Sequence, residues 1–263
     1  MAKVILDPGH GGRDIGDYYM NRSEKNDTLS LALRVGLFLE AQGISVVYIR
    51  KTDVYLSIME RIKLINEADA DLMISLHRLN EMDYSSKPGL DFFLKEDDIK
   101  VKDAAITIGK ELYSVGYTTY GLIIRTDLPL LNEVSIPAFM LGIGYIGKEQ
   151  ENLFYDHNIM TIAEAIAKGI LEYLTNTIDN ETDLIRKQMS LGYRYRVIAG
   201  KYYSYDEAVE KQMLLRNHGV QAEIEYGFQK YFVCTGLLEQ LDDAVLLEVQ
   251  LRRLGYRTMI IIV

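Results

Sequence analysis

His10, Glu24 and His77 are the residues of this chain whose types and placement could jointly do chemistry. His10 lies in DPGHGG, just beyond a short apolar run, and His77 ends the apolar run DLMISLH. Two neutral imidazoles and one carboxylate leave a fourth tetrahedral position open to water, the arrangement of hydrolytic rather than structural zinc. Zinc held in that way lowers the pKa of water toward 7 and polarises a bound carbonyl. Each residue also has a plainer reading when taken alone. A loop histidine is often a hydrogen-bonded structural residue, and an acidic residue such as Glu24 is favoured near a helix N-terminus. Gly9, Gly11 and Gly12 let the backbone bend closely around a bound group, but such a loop could equally be a phosphate cradle or a simple turn.

The elements that must position these residues can be read from apolar periodicity. Lys3 to Leu6 is a buried first strand that meets a loop at Asp-Pro-Gly, and strand-like runs follow at 44–49, 71–76, 90–94, 122–124 and 136–141. Between them Leu29, Leu33 and Leu37, then Ile58, Ile62 and Ile65, then Ala105, Ile108 and Leu112, and finally Ile162, Ile166, Ile170 and Leu174 recur at helical spacing. Strands alternating with helices of this length predict an α/β fold, a mostly parallel sheet with helices on both faces. In such folds functional residues collect at the carboxyl ends of strands, where both His10 and His77 fall.

The division predicted is residues 1–176 for the zinc-site domain, a polar linker at 177–191, and a small α+β domain at 192–263. The last of these carries an internal repeat. Tyr195 corresponds to Tyr231, Gly200 to Gly236, Leu215 and Arg216 to Leu251 and Arg252, and Gly219 to Gly255, all at an offset of 36 residues. Each copy reads strand, helix, glycine turn, strand, which predicts a duplicated βαβ unit with a four-stranded sheet and two helices on one face.

Composition excludes several classes. The chain has 263 residues and a formal net charge of -9, which argues against nucleic acid or an anionic membrane as partner, since both require a concentrated basic face. Cys234 is the sole cysteine, so no intrachain disulfide can form, and its apolar setting in YFVCTG reads as a small buried residue. MAKVILDPGHGG is too short in apolar residues for a signal peptide, and no apolar run approaches a membrane span, so no membrane insertion is expected.

These motifs, taken in order, resemble the zinc-dependent N-acetylmuramoyl-L-alanine amidases of the Amidase_3 family. The resemblance rests on ILDPGHGG, on Glu24-Lys25 followed by an apolar helix, on YIRKTDVYLSIMERIKLINEADADLMISLH and on IPAFMLGIGYI, across roughly residues 3–175. It implies that His10, Glu24 and His77 bind Zn2+, and that Arg61 is structural rather than catalytic. Two departures stand out. The family's His-x-Asn meets His77-Arg78-Leu79-Asn80 here, so that the asparagine, a candidate substrate contact, is displaced by one residue. The family's glutamate, which serves as general base and acid, falls on Gly142. A positioned proton carrier is worth roughly 10²- to 10⁴-fold in rate. Gly142 is therefore an engineered inactivating change, the mark of a natural relative that only binds, or a site where another acid substitutes, with Glu133 in LLNEVSIPA the nearest candidate.

Tyr193 to Val263 resembles a SPOR domain, a family that binds glycan strands stripped of their stem peptides. The same architecture hosts RNA-binding domains, where Tyr195 and Tyr231 would be the stacking residues, a role the acidic composition opposes. The sequence thus predicts a peptidoglycan hydrolase that cleaves the amide between N-acetylmuramic acid and L-alanine, directed to the wall by its C-terminal domain. The rival is a non-catalytic zinc-containing wall-binding or regulatory protein. Without a signal peptide, such an enzyme is expected to meet bacterial peptidoglycan after membrane breach, as a phage endolysin or a mother-cell lysin does.

Overall fold

The computed structural model describes residues 2–79, 89–96, 98–117, 119–179, 194–227, 230–239 and 241–262. Strand β1 (Lys3–Pro8) is buried along its apolar run and hands the chain to the glycine loop; β2 (Tyr18–Tyr19) and β3 (Arg22–Ser23) form a short hairpin before helix α1 (Glu24–Ala41). Helix α1 stops at a turn in which Gly43 takes a φ of 77°, and β4 (Ser45–Tyr48) returns beside β1. Helix α2 (Ile58–Ala68) opens with a reciprocal capping box, in which Glu60 N donates to the Ser57 hydroxyl and the Glu60 carboxylate accepts from Ser57 N. It ends at Asp69, which adopts a left-handed φ of 47°.

Strand β5 (Leu72–Leu79) follows, then β6 (Gly89–Leu94), α3 (Ile99–Val115), β7 (Thr119–Ile124), α4 (Pro129–Glu133), β8 (Ala138–Tyr145) and the long α5 (Glu149–Asp179). Strands β4, β1, β5 and β8 are mutually parallel, and β6 is parallel to β7, but β6 runs antiparallel to β8. The sheet is mostly parallel at its amidase-motif end, with one reversal that the sequence pattern did not reveal. Helices α1, α3 and α5 cover one face over a core that includes Val35, Ile74, Phe92, Ile108 and Ile166. On the other face α2 and α4 bury Ile5, Ile65, Met73 and Leu131. Burial of this kind contributes about 25 cal/mol per Å² of apolar surface and holds the strand ends that carry the site.

The C-terminal segment forms β9 (Tyr195–Tyr202), α6 (Tyr205–Asn217), β10 (Ala222–Gly227), β11 (Lys230–Thr235), α7 (Leu241–Arg253) and β12 (Met259–Ile262). Its strands are antiparallel neighbours in the order β10, β11, β9, β12, and Ala208, Leu215, Ala244 and Leu251 of the two helices pack on Val197, Val233 and Ile260. The sheet does not stand apart. Strand β12 pairs with β7 through Ile260 to Ile124 and Ile261 to Ile123, which joins all of these strands into one ten-stranded sheet. The expected linker at 177–191 begins inside α5, and its remainder lies outside the described residues. No described helix is long and apolar enough to cross a membrane.

Candidate metal centre

His10 sits just past the carboxyl end of β1, Glu24 is the first residue of α1, and His77 is near the carboxyl end of β5. Because β1 and β5 are adjacent and parallel, both histidines reach the same edge of the sheet. Their ring centroids lie 5.0 Å apart and nearly perpendicular. Glu24 is buried between them: its Oε2 is 3.1 Å from His10 Nε2, and its Oε1 is 2.8 Å from His77 Nδ1. Ligand atoms of the three residues all lie within 4.8 Å of one another.

The surroundings fix each group. Glu24 Oε2 accepts from Asp17 N at 2.9 Å and Oε1 from Arg78 N at 3.0 Å, so the carboxylate is held from both sides by backbone donors. His10 Nδ1 lies 3.0 Å from Asp14 Oδ1, a contact that fixes the ring with Nε2 toward Glu24. Two glycines make room for the rings. A Cβ on Gly9 would strike the His77 ring at 2.3 Å, and one on Gly16 would strike His10 and Glu24 at 2.6 and 2.7 Å. Burial disfavours the charged form of His10, but the facing carboxylates of Glu24 and Asp14 outweigh it and raise the imidazole above its ordinary value. Burial likewise opposes the charge of Glu24, and its hydrogen bonds to His10 and His77 overcome that, holding the carboxyl well below the usual range.

Two imidazoles and a preorganised carboxylate, with outer hydrogen bonds on His10 and Glu24, fit a zinc ion with an open coordination position. Gly142 lies beside His77 in β8, in register, and Asp91 of β6 lies on its other side. No proton carrier projects from position 142. The space there is taken: a Cβ on Gly142 would lie 2.3 Å from Leu79 Cδ2.

Several other expectations are corrected. Glu133 ends α4 with its side chain exposed, five residues before β8 begins, and its carbonyl accepts from Asn66 near the end of α2. That places it at the amino edge of the sheet, whereas Gly142 and His77 are toward the carboxyl edge, so Glu133 stands away from the group of His10, Glu24 and His77. Tyr195 is 4% exposed in the core under α6 and α7 and presents no ring to a ligand. Tyr231 is half-buried against Tyr205 and Tyr226, whose rings are exposed. Asn80 lies outside the described residues. Sequence reasoning missed Asp14, although a carboxylate four residues after a loop histidine is a recognisable outer partner, and it missed Arg50, which is buried under the loop.

Comparison with known proteins agrees with this geometry. Residues 4–172 match the family described as N-acetylmuramoyl-L-alanine amidase. The germination-specific N-acetylmuramoyl-L-alanine amidase of Bacillus subtilis is 30% identical over 193 residues, which cover 67% of this chain and 81% of that protein. The probable cell wall amidase LytH of Staphylococcus epidermidis is 27% identical over 178 residues, covering 66% of this chain but 58% of that protein, so the match spans little more than half of that relative. Among solved structures, the CwlD amidase of Clostridioides difficile, determined in complex with the GerS lipoprotein, has a TM-score of 0.60 and 28% identity, and covers 67% of this chain and 100% of that one.

Proposed function

This chain belongs to the Amidase_3 family of N-acetylmuramoyl-L-alanine amidases, and we propose that it acts on bacterial peptidoglycan, at the amide between N-acetylmuramic acid and L-alanine, with a zinc ion held by His10, Glu24 and His77. The observation that carries the reading is the convergence of those three side chains, from three separate elements, on one point at the sheet edge. Zinc bound there would supply Lewis-acid polarisation of the amide carbonyl and activation of water. The protein's own contribution is placement. Asp14 holds the His10 ring through Nδ1, while Asp17 N and Arg78 N keep both Glu24 oxygens aimed at the two imidazoles. Residues 192–263 serve as a wall-binding unit of SPOR type.

The contact between Leu79 and the space over Gly142 favours a second reading, in which the site holds metal and wall material without turning it over. A general acid or base must come within hydrogen-bond reach of the proton it moves, and an apolar methyl group fills the place beside His77 where the family carries one. The two readings part on one measurement. Purified sacculi incubated with the zinc-loaded chain should release free L-alanine N-termini if it is an amidase; sedimentation of the chain with sacculi and no new N-termini would establish the binding reading. Neither binding nor release would sink both.

A further inference from the structure

We infer that Arg50 and Arg61 are positioning residues for the metal centre: together they hold the 8–12 backbone in the one shape that aims His10 at Glu24. The inference rests on the zinc reading above.

The loop's N–H groups are held by Leu76 O, Asp14 O and Asp53 Oδ1, which take Gly9 N, Gly11 N and Gly12 N at 3.0, 2.8 and 2.7 Å, and its carbonyls are left to other partners. His10 is a non-glycine residue with a φ of 62°, followed by Gly11 at 134° and Gly12 at 57°, so three successive residues lie in the left-handed region. A residue with a Cβ remains there only when its surroundings over-determine it. On the carbonyl side those surroundings are cations. Arg50 Nε donates to Pro8 O at 3.0 Å, and its NH2 donates to Gly9 O at 2.8 Å. Arg61 donates to Pro8 O at 2.9 Å and to His10 O at 2.5 Å. Lys25 Nζ takes Gly12 O at 2.9 Å. The guanidinium-bearing residues are buried, at 3% and 5% exposure.

The two arginines divide the work. Arg61 is neutralised by Asp7, which also accepts from Ser75 Oγ at 2.8 Å, so it is anchored to β1 and β5 and grips the His10 peptide from beneath. Arg50 spans the gap between two ligands. The same NH2 that holds Gly9 O also donates to Lys25 O at 2.8 Å. Gly9 precedes His10 and Lys25 follows Glu24, so one nitrogen ties the neighbours of two ligands together. Thr28 Oγ1 completes the tie by donating to Gly9 O at 2.9 Å. Among the described residues no carboxylate lies within ion-pair distance of Arg50, which binds backbone carbonyls and a hydroxyl instead. A lysine could not repeat this, because a single ammonium lacks the planar fork that reaches Pro8, Gly9 and Lys25 at once.

The experiment compares the full chain with Arg50→Lys and Arg61→Lys, by zinc affinity in chelator competition and by the visible spectrum of the cobalt(II)-substituted protein. Leu39→Ala, a core truncation at the far end of α1, shows what loss of stability alone does. The expected result is that both lysine variants fold, bind zinc roughly 10- to 100-fold more weakly, the usual effect of losing an outer partner of a metal ligand, and show altered cobalt spectra, whereas Leu39→Ala lowers the melting temperature with affinity and spectrum unchanged. Lysine variants that match the parent in both readouts would overturn the inference. So would a failure of both to fold without metal, since the arginines would then be supports of the fold and not of the site. A parent chain that takes up no zinc would instead remove the zinc reading itself.

Discussion

Leu79 reaches over Gly142: a Cβ there would lie 2.3 Å from Leu79 Cδ2 and 3.0 Å from its Cγ, so a side chain at 142 has to displace the end of the leucine. In the family pattern that the sequence resembles, residue 79 is where the asparagine and residue 142 where the glutamate would fall, so both departures meet at this contact.

Restoring a glutamate by itself should therefore fail. Gly142→Glu is expected to cost about 1–3 kcal/mol through overpacking, measured as a lower denaturant midpoint, with no gain in amidase activity. Leu79→Asn combined with Gly142→Glu opens the space and supplies the proton carrier, so release of L-alanine N-termini should rise roughly 10²- to 10⁴-fold. If the single variant is as active as the double, Leu79 is no obstacle. If the double variant folds, keeps zinc and stays inactive, the binding reading holds.

Zinc uptake should depend on pH in a stated direction. The metal competes with a proton for His10, whose affinity for that proton is raised by Glu24 and Asp14 against the effect of burial. Above the raised value His10 is neutral and affinity is full; as pH falls through that value affinity should drop, by roughly tenfold per unit for each proton displaced. Asp14→Asn removes one of the carboxylates that favour the protonated ring, so the fall should move to lower pH. Affinity at neutral pH should also weaken, by about 10- to 100-fold, because the outer hydrogen bond is changed. Chelator competition between pH 5 and 8 measures both effects, and a pH-independent affinity would count against His10 as a ligand.

What could be read from the sequence was whatever has a local signature. The strands were visible as apolar runs, α2 in the spacing of Ile58, Ile62 and Ile65, and the metal candidates in residue type plus position at strand ends. Contacts made across the fold were not. Nothing in the sequence near Leu79 says that it will lie over Gly142, and nothing near Ile260 says that it will pair with Ile124. Tyr195 was misassigned for a related reason: alternation shows that a strand has two faces but not which face the helices will cover. The antiparallel step from β8 to β6 is likewise set by topology, for which single-strand patterns carry no signal.

Glu133→Gln should leave any residual hydrolysis unchanged, and zinc content with it. The side chain is exposed at the end of α4, and the local link to α2 runs through the Glu133 carbonyl and the Asn66 side chain, both of which survive the substitution. A rate loss greater than a few-fold in this variant would mean that the loop before β8 folds over the site in the presence of substrate.

The C-terminal unit offers the last test, because its core is nearly its own while its sheet is not. Of the buried residues that form that core, Ile124 alone comes from outside the segment, so a fragment of residues 192–263 should unfold in one cooperative step. Its strand β12 loses its pairing with β7 when excised, however, and leaves an edge carrying Ile260 and Ile261. Unpaired apolar edges invite strand-to-strand association. The fragment should accordingly form dimers or larger species at concentrations where the full chain does not, and Ile261→Lys, which puts a charge on that edge without touching the buried Ile260, should return it to monomer. Sedimentation velocity of the two fragments decides the point. A wall-binding role further requires the monomeric fragment to bind peptide-stripped glycan more tightly than intact sacculi. A fragment that melts without cooperativity would show that β7 is an integral part of the unit, and one that folds but binds neither form of glycan would end the targeting proposal.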